Sequence, residues 1–228
     1  MCIRDSYKII FSRRRSISII LSPGKEITVR APYRTSLKTI DRFVQEKAKW
    51  IEANLKKYNE IENLNRGQCY LDGELHLFAG REYVLKITES EHPFVRLHEN
   101  ILETGVTQVN DRGKIRSMLD LWYLQKAWEI LPLKLKQILA KFPHHDFSPS
   151  ALVVRRLKSR WGSCTSKGKI TLNSELIKLE PALIEYVIIH ELCHLKHHNH
   201  GKNFYSLLEE LAPDYKSVRK KLRKFILA

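Results

Sequence analysis

The sequence predicts an α+β protein in which a β-rich N-terminal region precedes a mainly helical C-terminal region. From Tyr7 onwards, apolar and polar residues alternate in short runs such as YKIIF, ISIIL and EITVRAP. Further short runs of strand-forming residues lie between about residues 70 and 105. After Asp111, in contrast, apolar residues recur at helical spacing as far as Ala140.

The N-terminal runs are expected to form two or three short antiparallel strands, with Pro32 closing the last. Ser36 can cap the helix that follows, which the spacing of its apolar residues extends to about Tyr58. A second set of strands is expected before residue 107. We therefore expect residues 7–107 to form a β-rich region with one helix.

The segment from Asp111 to Ala140 is expected to be a long amphipathic helix that Pro132 kinks or divides. The candidates for its buried face are Met118, Leu121, Trp122, Leu124 and Leu135.

After this segment, ALVVRRL and KITLN indicate two strands separated by the turn-rich RWGSCTSKG. Pro181 predicts the start of a helix that runs at least to Leu195, because proline is tolerated at the first helical position. Shorter helices are expected from about Asn203 and from Asp214. We expect residues 108–228 to form the region that carries the chemistry.

The first residues, MCIRDS, fit no strand or helix pattern. Their reverse translation allows a sequence that looks like the end of a transposon-based sequencing adapter. We expect residues 1–6 to be a sequencing or cloning artefact that replaces the natural N-terminus.

The composition excludes several classes of protein. No apolar run is long enough for a membrane span, and the four cysteines, which are scattered and form no CxxC pair, do not indicate a disulfide framework. We expect a cytoplasmic protein that does not contact membranes. The 40 Lys and Arg against 25 Asp and Glu, a formal charge of +15, favour anionic partners. Nucleic acid is thus a possible partner, although no nucleic-acid-reading motif accompanies the charge.

The stretch IIHELCHLKHHNH, residues 188–200, contains five histidines and one glutamate. His190 and His194 are four residues apart, so on a helix both imidazoles can reach one ion. Glu191 projects beside this pair and can take a proton from metal-activated water. The HExxH pattern therefore predicts a zinc-dependent hydrolase.

Hydrolytic zinc sites usually have a third protein ligand. His197 and His198 lie too far along a straight helix to join His190 on one ion. His200 is the favoured third ligand, because Asn199 and Gly201 tolerate the left-handed backbone that can reverse the chain after a helix. The alternatives left open are Glu209 and Glu210, on the next predicted helix.

At this point the sequence resembles a known family, the YgjP-like metallopeptidase domain, which is akin to SprT-like proteins and more loosely to other zincins. The resemblance rests mainly on RRLKSRWGSC, KITLN, YVIIHELCHLKHHNHGKNFY and PDYK, and less specifically on RRRSISI, VRAP and FVQEKAKWI. It implies a zincin-like catalytic core with one zinc ion, in which His190, His194 and His200 are ligands and Glu191 is the catalytic acid/base.

The resulting hypothesis is a zinc metallopeptidase that cleaves peptide or protein substrates. Trp161 and Ser163 are candidate substrate contacts, because an edge strand before the metal-binding helix can receive an extended peptide. Two alternatives stay open. One is a nucleic-acid-associated protease recruited through its basic surface, since residues 151–170 contain no acidic residue. The other is a non-catalytic domain that zinc only stabilises.

Overall fold

The computed structural model describes residues 7–21, 27–53 and 68–225. The proposed artefact at residues 1–6 and the expected end of the first helix at about Tyr58 lie outside these residues. The mixture of helices and sheets is confirmed: the described residues form three sheets and a set of helices. Among them, no helix is both long enough and apolar enough to cross a membrane.

The first unit contains a three-stranded sheet of β1 (Tyr7–Ser12), β2 (Ser18–Leu21) and β3 (Ile27–Pro32). The central strand β3 pairs antiparallel with β2 but parallel with β1. The expectation that all these strands are antiparallel is therefore wrong. Alternation in a sequence indicates which face of a strand is buried, but it does not indicate the direction of the neighbouring strand.

Helix α1 (Leu37–Glu46) covers the buried face of this sheet. The Ser36 side chain accepts a hydrogen bond from the Thr39 amide at 3.2 Å, so Ser36 is the expected N-cap. Helical residues follow again at 48–53. The core of the unit consists of Ile27, Val29, Ala31, Ile40, Val44 and Ile51.

The second unit begins with a four-stranded sheet in the order β4-β5-β7-β6. Its strands are β4 (Leu75–Phe78), β5 (Arg81–Glu89), β6 (Phe94–His98) and β7 (Ile101–Val106). Strands β5 and β7 are parallel, whereas the outer pairs are antiparallel.

Helix α2 (Arg112–Lys141) is continuous through Pro132, so the expected division there does not occur. Leu131 and Leu135, on either side of the proline, are both buried, and their packing offsets the backbone hydrogen bond that proline cannot make. Trp122 is also buried as expected, but Leu121 is 66% exposed. The expectation for Leu121 is wrong because the buried stripe of α2 lies one position further along the helix.

The remaining described residues form a three-stranded sheet, three α-helices and two short 3-10 helices. The strands are β8 (Ala151–Arg155), β9 (Gly162–Cys164) and β10 (Lys169–Asn173), in the order β8-β10-β9. The helices are α3 (Pro181–Lys196), α4 (Lys202–Leu211) and α5 (Tyr215–Leu222). The segment RWGSCTSKG, interpreted as a connection, thus contributes the strand β9.

The chain divides into compact units at residues 1–67 and 68–228, whereas the sequence predicts a boundary after residue 107. The four-stranded sheet falls in the second unit because its buried residues share one core with α2 and α3. The hairpin of β4 and β5 also contacts the segment just before α3, since the amide of Gly80 donates to the Lys178 carbonyl at 3.1 Å. A β-carbon at Gly80 would lie 2.8 Å from the Glu180 Cα, so this approach requires glycine.

Candidate metal centre

Helix α3 places two histidines of the HExxH motif one turn apart. It begins at Pro181 after Glu180 and ends at Lys196, as the sequence predicts. The ring centroids of His190 and His194 are 5.0 Å apart, and both rings lie on the same side of the helix.

His200 returns to this pair from beyond the end of α3. Its Nε2 lies 3.1 Å from the Nε2 of His190, and its ring centroid lies 4.7 Å from that of His194. The chain makes this return without the expected left-handed residue, because no positive φ occurs at Asn199 or Gly201 among the described residues. Gly201 instead adopts an extended conformation as the N-cap of α4.

The three imidazoles together form a group that could hold a metal ion. One ring nitrogen from each of His190, His194 and His200 lies within 4.8 Å of the other two. The Nδ1 of His194 is 3.1 Å from the carbonyl oxygen of His197. When Nδ1 carries the proton and donates it to this carbonyl, Nε2 keeps its lone pair for a metal.

The environment keeps two of these rings in the neutral form that binds metals. Burial, followed by the neighbouring His194 and His200, lowers the pKa of His190 to about 3. Burial also lowers the pKa of His194. Protons therefore do not compete with a metal for these two rings near neutral pH.

Phe204 supports all three rings from one position on α4. Its side chain is fully buried, and its ring centroid lies 5.0, 4.7 and 4.6 Å from those of His190, His194 and His200. This role could not be predicted from the sequence, because a phenylalanine at helical spacing is indistinguishable from any other core residue.

Glu191 lies beside the histidine cluster with a buried side chain that is 5% exposed. Burial raises the pKa of Glu191 to about 7, although Arg160 partly opposes this shift. The carboxyl group packs directly against β9, since a β-carbon at Gly162 would lie 2.7 Å from the Glu191 Oε1. Gly162 is therefore the residue that leaves room for Glu191.

The polar groups at this site fit a metal and a reacting water. In the part of the chain that the structure describes, buried side-chain atoms without a hydrogen-bond partner include His190 Nδ1 and Glu191 Oε2. Unsatisfied buried polar atoms are rare in proteins and often mark a functional site or an ion. A donor set of three imidazole nitrogens suits zinc.

The alternative ligands lie elsewhere. Glu209 accepts a hydrogen bond from Lys216 at 3.2 Å, and Glu210 lies 3.2 Å from His145. Neither glutamate belongs to the metal-holding group found among the described residues. His198 lines a separate cavity of about 230 Å³ that contains none of the three clustered histidines.

The two candidate substrate contacts have different surroundings. Trp161 lines a cavity of about 320 Å³ together with His190 and Glu191. Ser163 pairs with Thr171 within the sheet and does not line this cavity.

The solved structures that resemble part of the chain include two metallopeptidase zymogens. Jannalysin of Methanocaldococcus jannaschii is 20% identical, with a TM-score of 0.37, over 41% of this chain and 94% of that chain. Abylysin of Pyrococcus abyssi is 24% identical, with a TM-score of 0.36, over 42% of this chain and 99% of that chain. No curated protein matches the chain.

The family comparison covers more of the chain than the solved structures do. Residues 15–225 match the model of the YgjP-like metallopeptidase domain. The chain belongs to this family. It is thus a metallopeptidase-family domain, and the family implies a divalent metal.

A buried asparagine of the YgjP-like domain holds the segment that leads to Gly162. The Asn173 side chain donates to the carbonyl oxygens of Leu157 and Arg160 at 2.8 and 3.0 Å. Its Oδ1 accepts from the amides of Leu157 and Glu175 at 3.2 and 3.1 Å. Because Asn173 is fully buried, the three bonds to Leu157 and Arg160 fix residues 157–160 with little competition from water.

Replacing Asn173 by alanine is expected to lower the free energy of unfolding of the YgjP-like domain by about 3 kcal/mol, because four part-buried backbone groups lose their hydrogen-bond partner. Urea denaturation followed by circular dichroism measures this change. Asn110→Ala, at an exposed position, is the matched control and should stay within about 0.5 kcal/mol of the wild type. Equal stability of the two variants would contradict the assigned role of Asn173.

Proposed function

We propose that the chain is a zinc-dependent metallopeptidase that hydrolyses peptide bonds in peptide or protein substrates. His190, His194 and His200 would hold one zinc ion, and Glu191 is the general acid/base. The observation that carries this proposal is the convergence of three imidazole nitrogens within 4.8 Å of one another beside a buried carboxyl group.

A bound zinc ion supplies Lewis-acid chemistry, which polarises a carbonyl and makes a neighbouring water acidic near neutral pH. Glu191 transfers the proton. With a pKa raised by burial to about 7, its carboxylate can accept a proton from the attacking water and then return it to the leaving amine nitrogen.

Strand β9 is the proposed binding edge for the substrate backbone. Within the described residues it is an outer strand of its sheet, paired with β10 on one side. An extended peptide that adds to this edge would pass next to Glu191, because Gly162 of β9 contacts that carboxyl group. Trp161 and Ser163 are the proposed contacts for neighbouring parts of the substrate.

The surroundings of Glu191 favour catalysis over a purely structural zinc site. A structural site usually has four protein ligands, whereas the metal-holding group among the described residues has three. A buried carboxyl group that is not a ligand has a role in proton transfer but none in a site that only stabilises the fold.

We also propose a cytoplasmic location and no membrane partner.

Nucleic-acid recruitment through the basic surface receives less support. Arg156, one of the cations near the proposed cleft, pairs with Asp120 at 3.1 Å and with Glu175 at 4.0 Å.

Metal removal tests the proposal. The purified chain is expected to bind one zinc ion and to cleave a chemically unfolded protein, with cleavage lost after chelation and restored by equimolar zinc. Magnesium, which prefers oxygen ligands, is the matched control and should not restore cleavage. Full cleavage after complete metal removal would contradict the proposal. Zinc binding without cleavage of any unfolded protein would favour the non-catalytic domain.

A further inference from the structure

The cavity beside Glu191 has three arginines in its lining: Arg160, Arg219 and Arg223, here called the basic wall. Arg160 lies just before β9, whereas Arg219 and Arg223 are one helical turn apart at the end of α5. The other lining residues besides His190 and Glu191 are largely apolar or aromatic: Trp161, Gly162, Tyr186, Val187, Leu222 and Phe225.

Glu191 is the one carboxyl group that lines the cavity together with the basic wall, and it forms no salt bridge with it. Within residues 7–21, 27–53 and 68–225, no carboxylate forms an ion pair with any of its three guanidinium groups. Nearby cations behave differently: Lys216 of α5 pairs with Glu209, and Arg156 pairs with Asp120. The hydrogen-bond donors of the basic wall therefore remain available to a ligand.

Two arginines of the basic wall affect the pKa values of side chains at the candidate metal centre. Arg219 contributes to the lowered pKa of His190, after burial and the two other histidines. Arg160 opposes the rise that burial causes in the pKa of Glu191. A cavity with an apolar lining and several unneutralised cations favours a ligand that brings a negative charge into it.

We propose that the basic wall recognises a carboxylate of the substrate close to the scissile bond, either an acidic side chain or the C-terminal carboxylate. This inference rests on the proposed peptidase function. Guanidinium groups bind carboxylates through paired hydrogen bonds, and the apolar lining accommodates the carbon stem of the same residue. The cavity of about 320 Å³ is large enough for one such group, but it is too small for an extended polyanion such as nucleic acid.

Matched peptides test the preference during catalysis. Mass spectrometry of a digested, unfolded protein first identifies a cleaved sequence. Short peptides with this sequence then carry Glu, Gln or Lys at each position next to the scissile bond, with a free or an amidated C-terminus. One carboxylate is expected to raise kcat/KM about tenfold to a hundredfold over its neutral counterpart. The side-chain and terminal series distinguish its two sources.

Charge-removing variants identify the residues responsible. Arg219→Gln and Arg223→Gln are expected to reduce this preference to within about threefold. Lys221→Gln is the matched control, since Lys221 lies on the same helix but does not line the cavity. Equal preference in wild type and arginine variants, or equal loss in Lys221→Gln, would overturn the proposal.

Equilibrium binding separates this inference from the proposed function. N-acetylglutamate α-amide, N-acetylglutamine and N-acetylglutaminamide present a side-chain carboxylate, a terminal carboxylate and no carboxylate. Calorimetry with the metal-free full chain is expected to show that one acid binds at least tenfold more tightly than the neutral compound. This difference in affinity should be absent in Arg219→Gln.

The outcomes of the two experiments are distinguishable. If no peptide is cleaved, the proposed function fails and the binding measurement alone decides on the basic wall. If neither acid binds better than the neutral compound, the inference fails even where peptides are cleaved. If Arg219→Gln weakens binding of a single-stranded oligonucleotide and leaves the small acids unaffected, the arginines serve nucleic acid and the inference is overturned.

Discussion

Replacing Glu191 by glutamine is expected to lower kcat about a hundredfold to ten-thousandfold, while zinc remains bound. The amide has nearly the same shape as the carboxyl group and fits the space that Gly162 leaves, but it cannot accept the proton of the attacking water. Zinc should stay because the metal-holding group consists of His190, His194 and His200. The measurements are zinc content and steady-state cleavage of an unfolded protein.

The control for this experiment is Glu185→Gln. Glu185 lies on the same helix, and its side chain is 40% exposed, where it pairs with Lys141. Its replacement removes the same charge without touching the site, so kcat should stay within about twofold of the wild type. An unchanged kcat in Glu191→Gln would show that another group carries the proton.

Replacing His200 by alanine is expected to weaken zinc binding by more than about a hundredfold, and to reduce cleavage in proportion to the lost zinc. Losing even an outer-shell partner of a metal ligand typically costs 10- to 100-fold in affinity, and a direct ligand contributes at least as much. Competition with a fluorescent chelator measures the affinity. The remaining His190 and His194 still bind, but more weakly.

Three variants serve as comparisons for His200→Ala. His198→Ala removes an exposed histidine that lines a separate cavity, and its zinc affinity should match the wild type. Glu209→Ala and Glu210→Ala test the ligands that the sequence left open, and both should retain zinc. Unchanged affinity in His200→Ala together with loss in either glutamate variant would reassign the third ligand.

Local spacing was enough to predict the parts of this site that lie on one helix. Pro181 indicates where α3 begins, and the four-residue interval indicates that His190 and His194 share a face. The position of His200 depends on a chain reversal after α3. The sequence suggested that this reversal brings His200 to the other two histidines, but it did not indicate the backbone conformation of the reversal. Gly201 adopts the extended conformation of an N-cap and not the left-handed one that the sequence suggested.

Contacts between distant segments could not be predicted. The approach of Gly162 to Glu191 joins residues from a strand and a helix, and no periodic pattern records such a contact. The same holds for the parallel pairing of β1 with β3, since alternation is identical in parallel and antiparallel edge strands. Leu121 shows a further limit of periodicity: shifting a helical stripe by one residue exchanges a buried position for an exposed one.

The contact between Gly162 and Glu191 also constrains how the substrate preference of this chain can be altered. Trp161 and Ser163, on either side of the glycine, can in principle be exchanged to reshape the binding surface. Any side chain at position 162 would instead displace the carboxyl group of Glu191, the proposed general acid/base. Libraries that randomise the strand β9 should therefore keep this position fixed, because a change there would remove turnover before any new selectivity could be detected.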